Sequence, residues 1–139
     1  MIGIDPGASG GAVCLDNHGN IIWTQSFTDM TEHDIAELFR EFDDHQAIIE
    51  SVHSMPGQGV ASSFKFGRHF GFLIGLLTGL RMQYRLVTPQ KWQKEMGCLT
   101  HGDKNISKAA AQRRWPQQKW THAIADAALI GEYGRITTT

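Results

Sequence analysis

Three carboxylates in this chain stand where apolar residues would be expected. Asp5 ends the run Met1-Ile2-Gly3-Ile4, Glu50 interrupts Gln46-Ala47-Ile48-Ile49-Glu50-Ser51-Val52, and Asp126 is the one charge in Ala123-Ile124-Ala125-Asp126-Ala127-Ala128-Leu129-Ile130. A charge inside an element that packs into a core is costly unless a cation or metal matches it. Three carboxylates brought to one place repel, and one or two divalent cations turn that repulsion into binding. All-oxygen ligands favour Mg²⁺ or Mn²⁺ over zinc. A carboxylate-held metal pair is suited to phosphodiester hydrolysis, where one ion activates water and the other stabilises the leaving oxygen. His122 precedes Asp126 by four residues on the same helix face and could complete or flank such a site; a hydrogen-bonded helix histidine is the alternative. A zinc site through Cys98 and His101 would have only two ligands.

The charge distribution names a candidate partner. Residues 1–50 carry ten acids against Arg40 alone, a net charge of −9, whereas residues 81–120 carry nine bases against Glu95 and Asp103, a net charge of +7. This asymmetry points to a polyanion facing the basic part, with solvated helix faces as the alternative. Lys104 and Lys108 share a helix face and could hold a phosphate backbone near the metals, and Lys91 and Lys94 could extend that track.

The elements that must position these residues are readable in order. Asp5 closes a strand and is followed by Pro6-Gly7-Ala8-Ser9-Gly10-Gly11, a turn composition. Strands over 11–15 and 21–27 bracket an Asn/Gly turn at 16–20 and form a hairpin. A helix starts at Thr31, its N-cap, with Asp34 three residues on, and places Ile35, Leu38, Phe39 and Phe42 on one face. Residues 46–52 suit a buried strand, and a loop over 53–63 leads into a helix over 62–82. That helix has Gly67, Gly71, Gly75 and Gly79 on one stripe. Each glycine costs about 1 kcal/mol against alanine, so the sheet beneath or the same helix of a second subunit should approach closely. Its apolar stretch over 70–80, flanked by Arg68, His69 and Arg81, is too short to span a membrane. A strand over 84–87, a short helix capped by Thr88 with Pro89 at its first position and running through Trp92, a polar loop over 98–102, a helix over 104–114 and a last helix over 120–133 complete the chain.

With 139 residues, 41% hydrophobic and 19% charged, the composition is that of one globular domain over residues 1–139. No basic segment followed by a long apolar run opens the sequence, so no signal peptide is expected. Two distant cysteines, Cys14 and Cys98, are too few for a disulfide framework, and the cytoplasm is the expected compartment.

Taken together, IGIDPGASGGAV, AIIESV, DKNISK and HAIADAALI resemble the RuvC family of Holliday junction resolvases, particularly the compact forms of phage genomes. The resemblance implies an α/β, RNase H-like fold with a five-stranded mixed sheet flanked by helices. It implies a homodimer that cuts two opposed strands of a four-way junction, with two Mg²⁺ or Mn²⁺ ions held by the residues matching Asp5, Glu50 and Asp126, and a bacterial host cytoplasm if the chain is phage-encoded. Lys104 joins the catalytic set on this reading, and the Gly67–Gly79 helix offers a dimer surface. Two positions depart from the family pattern. Ala123 replaces an acid one turn before Asp126, which makes His122 the substitute ligand. His53 stands where an aromatic three residues after Glu50 would wedge bases apart, a role for which Phe64 and Phe66 are the substitutes. Competing readings are a nuclease on RNA–DNA hybrids and a non-catalytic branched-DNA-binding protein. The nucleotide-binding lobe of an actin-like ATPase is disfavoured, because 139 residues cannot supply its second lobe.

Overall fold

The computed structural model describes residues 1–53 and 55–138. Its elements are β1 (Ile2–Asp5), β2 (Gly11–Leu15), β3 (Ile21–Ser26), α1 (Glu32–Glu41), β4 (Ala47–Glu50), α2 (Val60–Gly79), β5 (Tyr84–Val87), α3 (Pro89–Glu95), α4 (Lys104–Arg114) and α5 (His122–Ile136). The strands form one sheet in the order β3-β2-β1-β4-β5. β2 pairs antiparallel with β1 and β3, while β4 runs parallel to β1 and β5. The expected five-stranded mixed α/β sheet is therefore present. Its parallel pairs need long crossovers, which α1 and α2 supply.

Period-two alternation divides the core between the two faces of the sheet. Ile2, Ile4, Ala12, Cys14, Ala47 and Ile49 pack against Ile35 and Phe39 of α1 and Leu73 and Leu77 of α2. Val13, Leu15, Ile48 and Val87 face the other way, onto Trp92, Ala111 and the long apolar face of α5. α5 lies unusually close to β1. A Cβ at Gly3 would sit 2.6 Å from the Gly131 Cα and closer still to the Ala127 carbonyl oxygen and the Gly131 amide nitrogen.

Local signals hold where they were strongest. Thr31 accepts from the Asp34 amide at 3.1 Å, and Asp34 accepts from the Thr31 amide at 2.9 Å, the reciprocal cap that starts α1. Thr88 caps α3 with Pro89 at its first position, but α3 continues to Glu95 because Trp92 is fully buried against the core. α5 starts two residues later than expected: Thr121 is its N-cap, and Trp120 packs on Trp115 and donates its indole N–H to the Trp115 carbonyl at 3.1 Å. α2 begins at Val60 and ends at Gly79.

Two expectations change. The glycine stripe of α2 does not face the sheet; a Cβ at Gly67, Gly71, Gly75 or Gly79 would meet nothing within 4 Å, because Leu73 and Leu77 occupy the sheet-facing side. Nor is the basic segment wholly available to a partner. Arg85 donates to the Gly134 carbonyl at 2.8 Å and to the Thr137 hydroxyl at 3.0 Å, tying down the end of α5. Arg114 donates to Glu132 at 3.0 Å. Among the described residues, no helix is long and apolar enough to cross a membrane.

Glu132 is the buried centre of that second contact, and Arg135 binds it with two nitrogens, each at 2.7 Å. Burial pushes the Glu132 carboxyl up, but the hydrogen bonds and charges of Arg135 and Arg114 outweigh burial and hold it below its ordinary value. A depressed carboxylate stabilises the fold above the ordinary carboxylate range, and that contribution is lost as pH falls through the depressed value. Glu132→Gln is therefore expected to lower stability at pH 7 by roughly 2 to 3 kcal/mol, reduced from a fully buried pair because both arginines reach solvent. Urea unfolding at pH 7 and below pH 4 checks this; the gap between variant and wild type should shrink at the acid end.

Candidate active site

β1 and β4 are parallel, with Ile4 opposite Ile49, so their C-terminal residues Asp5 and Glu50 reach the same edge of the sheet. Gly3 lies against α5, and Asp5, two residues on, shares that face. Ile48 packs in the α5-side core, and Glu50 follows with the same parity. α5 contributes Asp126 from its N-terminal half, just before the Ala127–Gly131 segment that rests on Gly3. The contact between Gly3 and Gly131 thus sets how near Asp126 stands to Asp5. All three carboxylates lie on one face of the sheet.

Their electrostatics show the crowding. Burial raises the Asp5 carboxyl well above its ordinary value, Glu50 and Asp126 raise it further, and Lys104 opposes them. Burial raises Glu50, against a hydrogen bond from Trp92; Asp126 adds to the rise and Lys104 opposes it. Burial raises Asp126 too, opposed by Ser107, Lys104 and His122. Lys104, exposed at the start of α4, is the cation that acts on all three. None of the three carboxylates is in an ion pair among the described residues.

The carboxylates come within electrostatic reach without closing to a coordination sphere. Among the described residues, no group of three or more His, Cys, Asp or Glu side chains is spaced to hold one ion. The chemistry of the donor set nevertheless fits a hard divalent cation: the donors are oxygens, their charges repel, and the buried Asp126 Oδ1 has no hydrogen-bond partner. The Cys98 thiol, pushed up to about 11 by burial with Asp126 adding, is a soft donor and a poor match for a hard divalent cation.

The other expected residues separate into near and far. Lys108 is half-buried one turn after Lys104, and Lys91 and Lys94 are exposed on α3, whose Trp92 reaches Glu50. None of these four lysines is in an ion pair among the described residues. His122 is the exposed first residue of α5, within electrostatic reach of Asp126. His53 is exposed three residues beyond Glu50. Phe64 is 72% exposed on α2, whereas Phe66 packs against the turn, its ring 2.8 Å from where a Gly7 Cβ would stand. Of the two aromatics, Phe64 is the one free to meet a partner.

Two residues beside the carboxylates carry no site signal in the sequence pattern. Trp92 donates its indole N–H to Glu50 Oε2 at 2.7 Å, which fixes one carboxylate oxygen. A buried indole needs such an acceptor, but nothing in the sequence names the partner. Ser107 is buried beside Asp126, its hydroxyl donating to the Lys104 carbonyl at 3.1 Å. Its spacing of three from Lys104 placed it on that helix face.

No protein-family model matches the sequence, and no curated protein matches it. In three dimensions the chain is similar to a Thermus thermophilus RuvC structure, with 14% identity and a TM-score of 0.66 over 96% of this chain and 92% of that one. It is also similar to T. thermophilus RuvC in complex with a Holliday junction substrate, with 13% identity and a TM-score of 0.70 over 99% of this chain and 97% of that one. At these identities the likeness is one of fold, and the fold is the RNase H-like fold of RuvC.

Proposed function

We propose that the protein is a divalent-metal-dependent endonuclease that resolves Holliday junctions or related branched DNA by paired phosphodiester hydrolysis. The observation that carries this reading is the convergence of Asp5, Glu50 and Asp126 from three separate elements onto one face of the sheet, each carboxyl raised by burial and those of Asp5 and Glu50 raised further by neighbouring carboxylates. The fold it shares with a RuvC seen on a Holliday junction substrate supports the choice of nucleic acid. Asp5, Glu50 and Asp126 would hold Mg²⁺ or Mn²⁺, with His122, within electrostatic reach of Asp126, the candidate further ligand. Held there, the metal would supply an activated water and stabilisation of charge on the leaving oxygen.

The rest of the chemistry belongs to side chains of this chain. Trp92 holds one oxygen of Glu50, fixing the carboxylate and leaving the other oxygen free for a metal. Lys104 moderates the carboxylate charge and, with Lys108, meets the phosphate backbone, and Lys91 and Lys94 continue the contact along α3. Phe64 offers a face for an unstacked base, and His53 lies between it and Glu50 in sequence. The chain works as one nuclease domain in the cytoplasm, paired through the exposed glycine stripe of α2, because two symmetric cuts need two sites related by a two-fold axis.

A synthetic four-way junction, a linear duplex and an RNA–DNA hybrid, each incubated with Mg²⁺, Mn²⁺ or EDTA, test this reading. Paired nicks confined to the junction and to the metal lanes are expected. Preferential cutting of the hybrid would replace the assignment with a hybrid nuclease. Junction binding without cutting in either metal would leave a DNA-binding protein, the reading favoured by Ala123.

A further inference from the structure

The turn that follows Asp5 is held from outside by a residue no part of the proposed chemistry uses. Gly7 is buried with φ +117°, a left-handed backbone that glycine adopts readily. Its carbonyl accepts from the Gly10 amide at 2.9 Å, and the Gly10 carbonyl accepts from the Phe27 amide at 2.9 Å, so the turn is closed on itself and anchored after β3. The Gly7 amide points the other way, and a buried backbone N–H requires a partner. That partner is His69 of α2, whose Nδ1 accepts it at 3.1 Å. The imidazole is held between Phe27, at 5.3 Å, and Phe72, at 6.3 Å between ring centroids. Accepting at Nδ1 requires a lone pair there, which puts the proton of the neutral ring on Nε2.

We propose that His69 is a positioning residue for the candidate active site: by accepting the Gly7 N–H it fixes the turn two residues after Asp5, and with it the aim of the Asp5 carboxylate toward Glu50 and Asp126. The proposal rests on the nuclease reading above. β1 pairs with β2 only as far as Asp5 opposite Gly11, so beyond Asp5 the ladder no longer restrains the chain. Pro6 has no N–H, and the Gly7 amide is therefore the first donor after the carboxylate. His69 answers it from an element 62 residues away.

The test separates the acceptor from the packing. In His69→Asn the side-chain oxygen stands near the place of Nδ1 and can accept the same N–H, while the space between the two phenylalanines is left partly empty. His69→Phe fills that space without an acceptor, and His69→Leu serves as the acceptor-free variant if the phenylalanine protein does not fold. Junction cleavage is measured well below every melting temperature, together with Mn²⁺ affinity by calorimetry. The acceptor-free variant should lose about 10- to 100-fold in kcat and in Mn²⁺ affinity, with KM for the junction within about twofold of wild type, and His69→Asn should recover most of both losses. Wild-type kcat and Mn²⁺ affinity in the acceptor-free variant, or equal losses in both variants, would overturn the proposal. A wild type that binds Mn²⁺ but does not cut the junction removes the nuclease reading and leaves the Mn²⁺ ranking to judge His69. Neither cutting nor Mn²⁺ binding in wild type removes both.

Discussion

Asp5→Asn should abolish junction cleavage and, at the same time, make the metal-free protein more stable. The loss of function follows from removing the carboxylate on which both others act: a ligand whose absence withdraws several kcal/mol of transition-state stabilisation lowers the rate on the order of 10³-fold. The gain in stability follows from the direction of the Asp5 shift. Burial, then the charges of Glu50 and Asp126, raise its carboxyl well above the ordinary value. A carboxylate raised on folding binds its proton more readily in the native state than in the unfolded chain. Its effect on stability is thus neutral below the ordinary value, grows unfavourable as pH rises from the ordinary value to the raised one, and stays constant above it. Asparagine keeps the shape and carries no charge at any of these pH values. In EDTA at pH 7.5 the variant should melt above wild type by a few degrees, about 3 °C for each kcal/mol of repulsion relieved. The gap should narrow as pH falls toward 4, where the carboxyl of the unfolded wild-type chain protonates as the native one already has. Comparing the two proteins cancels the groups they share, Glu132 included. Mn²⁺ should raise the wild-type melting temperature and leave the variant nearly unmoved. A variant that melts below wild type at pH 7.5 in EDTA would show that the three carboxylates do not strain one another.

Gly3→Ala should damage stability and chemistry together, although Gly3 carries no functional group. Its added Cβ would lie 2.6 Å from the Gly131 Cα and nearer still to the Ala127 carbonyl and Gly131 amide. These are helix backbone atoms with no rotamer to change, so relief requires α5 to lift from β1. Such overpacking costs about 3 kcal/mol, at the upper end of the usual range because backbone meets backbone. Lifting α5 also carries Asp126 away from Asp5. Cleavage should therefore fall even at temperatures where the variant is folded. Urea unfolding and the junction assay read the two effects separately, and a wild-type midpoint would mean that α5 does not rest on Gly3. Gly67→Ala is the matching control, because a Cβ there meets nothing within 4 Å and α2 gains helix propensity of up to about 1 kcal/mol. Loss of paired nicking in that control, with each monomer stable, would place the α2 stripe at a subunit contact.

What the sequence determined by itself is local. The Thr31–Asp34 cap, the Thr88-Pro89 helix start, the hairpin around Asn20 and the five strands all rest on φ/ψ preference and on periods of 2 and 3.6, which operate within a few residues. The three carboxylates were legible for the same reason, since each breaks an apolar run that must be buried whatever lies opposite. What packs against what was decided only in three dimensions. Gly3 reads as an ordinary strand glycine until α5 settles on it. Trp92 finds Glu50 across 42 residues and His69 finds Gly7 across 62, choices that no local pattern encodes because each depends on where a helix lands on the sheet. Arg85 and Arg114 count toward a basic segment in sequence, yet bind the carbonyl and carboxylate of α5 in the fold. Phe64 and Phe66, two residues apart, are nearly equivalent on paper; a helix rotates them by about 200° relative to one another, so one meets the Gly7 turn and the other meets solvent.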